Sequence, residues 1–375
     1  MKNWKKIRES GLENQLLAGK FLIREKVMDA VRKFFKNAGF REVETPLLVQ
    51  SPGTEPYLEV FESELVTPGY DNKKSYLLTS PELSMKKLLS AGLGNIFQIC
   101  KSFRNGEGLS SFHNPEFTIL EWYRVKADYL DIMKDCENLF LFILNELGLN
   151  EDGKNTLIYQ GIEYDLSTPW ERISVSEAFK KYAGMSIEEM LDSEKLVWIA
   201  KEKGYEVDDQ MTWEQAYNQI LLNEIEPFLG KKEMAEEMNT SKKNTGAAES
   251  TGKTKPTILY DYPAYQAALS KKKNSDPRFA ERFEFYIGGI ELGNAFSELT
   301  DAGEQEARMI DDLNLRKKLG KTEYKMDKDS IEALELGMPQ TGGIAVGVDR
   351  LVMLFADAGS IKETLFFPVE DVFDY

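Results

Sequence analysis

Two apolar runs stand either side of a polar loop in the first third of the chain, NIFQICKSFR (95–104) and FHNPEFTILEWYRV (112–125). Each reads as a β-strand, and the polar, glycine-containing connection lets the second run return antiparallel to the first. Side chains two apart on a strand share a face, so Phe117, Glu121 and Tyr123 project together. Arg104 ends the first strand, and His113, the only histidine of 375 residues, opens the second.

The flanking sequence gives this strand pair its setting. Residues 16–38 place Leu, Ile, Val, Met and Phe at helical spacing, with Gly39 as a stop. FREVETPLLV alternates as a strand broken by Pro46, KSYLLTS reads as another, and PELSMKKLLSAG as a helix with Pro81 in its first turn. Residues 126–229 read mostly as helices, an insertion packed beside a sheet. Residues 231–255 are small and polar, cannot bury enough to hold themselves in place, and predict a mobile loop. PTILYDYP and RFEFYIGGIELGNAF resume the strand pattern, a helix is predicted around 302–319, and GGIAVGVDRLVMLFA reads as strand, glycines, helix. The fold class is therefore α+β, an antiparallel sheet carrying helices in a single domain over 1–375.

Composition narrows the function. A net charge of -16 argues against nucleic acid as the main partner, because phosphate binding calls for a basic surface. Cys100 and Cys136 are the only cysteines and neither sits in a metal-like spacing, which predicts a reduced, cytoplasmic setting. No signal peptide or membrane span is read from the sequence. With one histidine and two scattered cysteines, a metal here would be held by carboxylates, which suits magnesium.

A guanidinium at Arg104 offers a planar fork for carboxylate or phosphate, and a ring beside it can stack on a base. Taken singly, these residues also suit a core strand pair with satisfied polar ends. A second cluster, RFEFYIGGIELGNAFSELTD, holds Glu284 and Glu291 on either side of a Gly-Gly turn. A strand-turn-strand there could bring both carboxylates to one cation, although a solvated hairpin has the same pattern.

Three ordered motifs tie these clusters together. FRNGE…FHNPEFTILEWY resembles the second motif of class II aminoacyl-tRNA synthetases in their lysine branch, GGIAVGVDRLVM is similar to the third, and GFREVETPLL to the first. The resemblance implies an ATP-dependent ligase that forms an aminoacyl-adenylate, and a homodimer built on the first motif. It implies that Arg104 holds the amino-acid carboxylate and α-phosphate, and that Arg350 lies beneath the adenine and reaches the γ-phosphate. Phe117 would cover the other adenine face, Glu107 would meet the adenine amino group, and His113 would approach the β- and γ-phosphates. Glu284 and Glu291 would hold the magnesium that bridges the phosphates of ATP. Asn294 and Glu298 would line the amino-acid pocket. With Glu82, Glu121 and Tyr123 they suit a dicationic substrate, lysine or a lysine isomer.

The likeness has two departures. His113 lies nine positions after Arg104, one more than is usual in the lysine branch, and no arginine comes just before the histidine. Only about 40 residues precede the first motif, which predicts that no N-terminal anticodon-binding domain is present. Over nearly its whole length the chain is similar to the truncated lysyl-tRNA synthetase paralogues that modify elongation factor P. That resemblance implies transfer of lysine or (R)-β-lysine to a lysine side chain of elongation factor P, with no tRNA. Ala345 agrees with it, since lysyl-tRNA synthetases tend to carry glycine there. Gly293, where the paralogues usually carry alanine, does not, and the resemblance implies a pocket-floor position able to discriminate isomers; Ala295 is also unusual. The alternatives are a lysine-activating enzyme that charges tRNA or another acceptor, and a non-catalytic regulator. The last predicts loss of a phosphate arginine or a metal acid, yet Arg104, Arg350, Glu284 and Glu291 are all present.

Overall fold

Eight strands form the central sheet among the residues that the structure, a computed structural model, describes: 2–10, 18–150, 153–206, 211–231 and 254–373. In chain order they are β1 (Arg41–Glu42), β2 (Ile96–Phe103), β3 (Glu116–Val125), β4 (Glu171–Ser174), β5 (Thr257–Pro263), β6 (Phe279–Ile287), β7 (Ile290–Ser297) and β8 (Thr341–Gly347). Across the sheet they run β1-β2-β3-β8-β7-β6-β5-β4. The inner six are mutually antiparallel, and the two edge strands pair in parallel, β1 with β2 and β4 with β5. The α+β expectation is met.

The sheet has one greasy face and one chemical face. Helices Ala18–Asn37, Tyr129–Glu146 and Val348–Phe355 cover the first. Phe35 stacks on Phe97 with ring centroids 4.9 Å apart and meets Trp122 at 5.0 Å, which fixes the first helix against β2 and β3. The middle helix begins where Asp128 caps it, its carboxylate accepting from the backbone N–H groups of Leu130 and Asp131, with Asp131 capping back. Since β3 is covered on both sides, Thr118 to Tyr123 are all buried. Polar groups on its second face must then find partners inside the protein or in a ligand.

Two predicted elements differ in the structure. FREVETPLLV is not one strand: β1 ends at Glu42, Pro46 follows, and Leu48–Val49 pairs elsewhere, with Lys73–Leu77. The 126–229 segment contains a hairpin, Thr156–Tyr159 with Ile162–Asp165, and the edge strand β4, besides its helices. Four-residue strands are too short to show a period. The later helices of this segment form a second core, where Phe179, Trp213 and Tyr217 pack with Tyr262 and Tyr286 of the sheet. The loop predicted over 231–255 lies, apart from its ends, outside the described residues. Among the described residues no helix is long and apolar enough to cross a membrane, and both cysteines are free thiols.

Candidate active site

Strand register brings the predicted residues onto the second face. Tyr123 lies opposite Gly343, Glu121 opposite Ala345, Ala345 opposite Asn294, and Asn294 opposite Glu284. Continued without a shift, the pairing of Glu284 with Asn294 and Phe285 with Gly293 would put Glu291 across from Ile287, on the opposite side from Glu284. The β6–β7 pair instead shifts register after Phe285, so Glu291 faces Tyr286 and shares the side of Glu284.

A cavity of about 520 Å³ opens over this face, and Arg104 and Arg350 both line it. Arg350 stands in the first turn of the helix that follows β8. Its Nη1 donates to the Glu291 carbonyl at 2.8 Å and lies 3.5 Å from the Glu291 carboxylate, while Nη2 donates to His113 Nε2 at 3.0 Å. The neighbouring Asp349 is buried and anchors that turn, accepting from Arg24 at 2.6 Å and from the Thr118 N–H at 2.7 Å. Because Arg350 has only protons to offer, His113 must present a lone pair at Nε2 and carry its proton at Nδ1, which donates to Ser110 Oγ at 2.8 Å. Burial, and then the charge of Arg350, depress the His113 pKa and keep the ring neutral.

Arg104 lies with its Cζ 5.2 Å from the Phe117 ring centroid, a cation–π contact, and 3.6 Å from the Glu107 carboxylate. Its Nε is buried with no hydrogen-bond partner among the described residues, a donor left for a ligand.

Glu284 is held from three sides. Tyr262 and Tyr286 hydroxyls donate to Oε2 at 2.7 and 2.6 Å, and Arg282 donates to Oε1 at 2.6 Å. Burial, and then the charge of Glu284, raise the pKa of Glu291. These two acids fit magnesium, a hard cation that takes one or two protein carboxylates and fills its shell with phosphate and water oxygens. Among the described residues no three His, Cys, Asp or Glu side chains gather into a metal site of their own.

The residues expected to meet an amino acid lie deeper. Glu82 and Asn294 line the cavity, whereas Glu121, Tyr123 and Glu298 are buried behind its wall. Glu121 accepts from Ser80 Oγ at 2.6 Å and from Tyr123 OH at 3.1 Å. No cation pairs with it among the described residues, and burial, followed by the charge of Glu82, pushes its pKa up to about 8. A side chain at Gly343 would collide with the Tyr123 ring and the Glu298 carboxylate, so only glycine lets these two groups close over β8.

Three participants were not singled out in the sequence. Lys86 Nζ sits 2.7 Å from Glu82 and 2.5 Å from Glu298. Its place four residues after Glu82 on a helix was the available signal. Arg282 joins Glu284 to Asn294, donating to the latter at 3.1 Å; it lies two before Glu284 on the same strand face. Glu226 meets the Tyr286 hydroxyl at 3.2 Å and is pushed up to about 8 by burial, then by Glu284 and Glu291. It comes from the second core, where no sequence pattern points to it.

One expectation is corrected. Gly293 lines the cavity, as expected of a pocket-floor position, but through its backbone: a Cβ there would lie 2.7 Å from the Phe285 ring and 2.9 Å from Val346 Cγ2, toward the core face. A methyl group at 293 would act through core packing. The residue whose methyl faces the cavity is Ala345, between Glu121 and Asn294.

Comparison with known proteins adds a lineage. The family model of tRNA synthetases class II (D, K and N) matches residues 4–371. The chain is 35% identical over 351 residues to a lysine–tRNA ligase of Thermoanaerobacter pseudethanolicus, covering 93% of this chain and 63% of that protein. It is 37% identical over 349 residues to an elongation factor P–(R)-beta-lysine ligase of Mannheimia succiniciproducens, covering 93% and 94%. A lysine–tRNA ligase of Staphylococcus aureus is 35% identical over 351 residues, with 93% and 64% covered. The chain thus spans less than two thirds of the length of these tRNA ligases.

Proposed function

Because the chain belongs to the class II tRNA synthetases of the D, K and N group, we propose that it activates lysine or (R)-β-lysine with ATP and passes the aminoacyl group to a lysine side chain of elongation factor P. The observation that carries the activation step is the cavity shared by Arg104 and Arg350, which Glu82 also lines and behind whose wall the carboxylates Glu121 and Glu298 are buried. Two guanidiniums suit a triphosphate, and buried acids with too few cations suit a diamino acid.

In this reading the substrate carboxylate attacks the α-phosphorus of ATP, forming the acyl-phosphate bond and expelling pyrophosphate. Arg104, whose Nε has a free proton, meets the carboxylate and α-phosphate and offsets the charge that builds as they approach. Arg350, braced by His113 and the Glu291 carbonyl, receives the outer phosphates. Magnesium held by Glu284 and Glu291 would neutralise phosphate charge. The protein contributes position and electrostatics and needs no covalent intermediate. The acceptor amine then attacks the adenylate carbonyl, forming an amide and releasing AMP.

Elongation factor P is favoured as acceptor by the Mannheimia relative and by the cavity-facing Ala345. The tRNA alternative is favoured by the lysine–tRNA ligases among the relatives. Lysine-dependent pyrophosphate exchange tests activation. Arg104→Ala and Arg350→Ala should each lower it about 100- to 1,000-fold, the cost of losing one donor to developing charge. Incubation with ATP, β-lysine and either elongation factor P or total tRNA then separates the acceptors. A mass gain on the factor supports the proposal, and label on tRNA alone overturns its second half.

A further inference from the structure

The buried end of the amino-acid chamber already contains an ammonium group. Lys86, 6% exposed, projects from helix Glu82–Ser90 and places Nζ between Glu82 and Glu298. Burial alone would depress a lysine pKa, but Glu298 and then Glu82 outweigh it and hold the amine above its ordinary value. The charge is therefore fixed. Its neighbour Lys87 points elsewhere and pairs with Asp327 at 2.6 Å.

Lys86 thus serves Glu82 and Glu298, while Glu121, close enough to feel the charge of both, has no cation among the described residues. Glu298, although paired with Lys86, is still pushed up to about 7 by burial. A second sign of a missing partner comes from Gln98, which lies opposite Glu121 and is 2% exposed. Its Oε1 is a buried acceptor with no donor among the described residues. Glu121 has two hydroxyl donors but no cation among the described residues, whereas Glu298 has the Lys86 ammonium beside it.

We propose that Lys86 is a specificity-determining residue that sets the charge of this site: it cancels one of three carboxylates, the cavity-lining Glu82 and the buried Glu121 and Glu298, and leaves two, the number that the ammonium groups of a diamino acid neutralise. This rests on the reading that the cavity binds lysine or a lysine isomer. An amino acid with an uncharged side chain would leave one carboxyl without a cation, to stay protonated or to bear a costly unpaired charge, and so would gain less from the site than a diamino acid. Without Lys86, a diamino acid would also leave one carboxyl without a cation. Lys86 touches no reacting atom, so its contribution belongs to substrate affinity and not to the chemical step.

The test is pyrophosphate exchange with lysine and (R)-β-lysine in wild-type, Lys86→Met and Lys86→Ala proteins. Both variants should raise KM for the amino acid roughly a hundredfold, with kcat little changed. Propylammonium, which matches the part removed in Lys86→Ala, should restore KM, and propanol, which fills the same space without charge, should not. A Lys86→Met protein with wild-type KM overturns the proposal. So does a Lys86→Ala protein rescued equally by both additives, since that assigns Lys86 to packing. Unfolding of both variants that propylammonium does not reverse also counts against it. Absence of exchange with either isomer in wild-type protein is a different result: it removes the lysine-activation reading itself, and this proposal with it.

Discussion

Arg350 donates to the Nε2 of His113 across 237 positions of sequence, at 3.0 Å, and so ties the loop between β2 and β3 to the helix after β8. The contact requires a neutral imidazole. The His113 pKa lies below its ordinary value through burial and the Arg350 charge, so the folded chain favours the unprotonated ring. Any stability gained is complete above about pH 6.5 and is lost as pH falls through the lower folded value. KM for ATP in the exchange assay is expected to rise as pH falls through that lower folded value. At pH 7.5, His113→Ala should raise it roughly ten- to a hundredfold, the range for a hydrogen bond to a charged group. His113→Gln, which keeps an acceptor, should lose much less. An unchanged KM in His113→Ala would show that Arg350 needs no brace.

Glu121 provides a second pH signature, of opposite sign. Burial and Glu82 raise its pKa to about 8, so the folded chain favours the protonated acid. The penalty is absent below its ordinary carboxylate range, grows as pH rises, and is complete above pH 8. Glu121→Gln removes an ionisable group while keeping its hydrogen-bonding shape. Thermal melts should show the variant gaining on wild type between pH 5 and pH 8, by roughly several kcal/mol at the upper end. The same variant should bind lysine more weakly, a stability gained at the expense of function. A pH-independent difference in melting temperature would remove Glu121 as an ionising group.

The magnesium site divides structure from chemistry. Glu284 has Arg282, Tyr262 and Tyr286 as partners in the protein itself, so its carboxylate does not depend on an ion to remain buried. A chelator is expected to abolish pyrophosphate exchange and leave the melting temperature of the protein alone within about 1 °C, unlike a structural metal site, where chelation unfolds the chain. Arg282→Met should do the reverse first: it strands Glu284 as an unpaired buried charge and should lower stability by roughly 3–5 kcal/mol. Stability that follows the metal would reassign the site as structural.

Much of this geometry is written in local pattern. The alternation of 95–104 and 112–125 predicts the β2–β3 pair, and the Gly-Gly interruption predicts the β6–β7 hairpin that carries Glu284 and Glu291. Period-2 reasoning could not supply the register shift after Phe285, which depends on how two strands pair and decides which side Glu291 takes. The helix PELSMKKLLSAG was legible, but adjacent Lys86 and Lys87 look alike until tertiary packing buries one and leaves the other half-exposed. For the same reason β4 was missed: its four residues earn their place at the sheet edge from β5, far away in sequence.

Positions 293 and 345 make the sharpest contrast between packing and recognition. They are register partners of adjacent positions on β7 and β8, yet their side-chain directions are opposite: a Cβ at 293 enters the space of Phe285, and that of Ala345 faces the cavity. Gly293→Ala forces Phe285 and the Ala345 carbonyl to give way, and should cost roughly 1–3 kcal/mol of stability by overpacking. Its ratio of exchange rates with lysine and (R)-β-lysine should stay near wild type. Ala345→Gly removes a methyl between Glu121 and Asn294, where on the proposed function the two isomers would place their amino groups differently. It should shift that ratio toward lysine by roughly 10- to 200-fold, the worth of about one methylene in a pocket, and leave the melting temperature little changed. Melts and exchange assays on both variants give four numbers. A large isomer shift in Gly293→Ala with none in Ala345→Gly would mean that the substrate lies against β7 and not between Glu121 and Asn294.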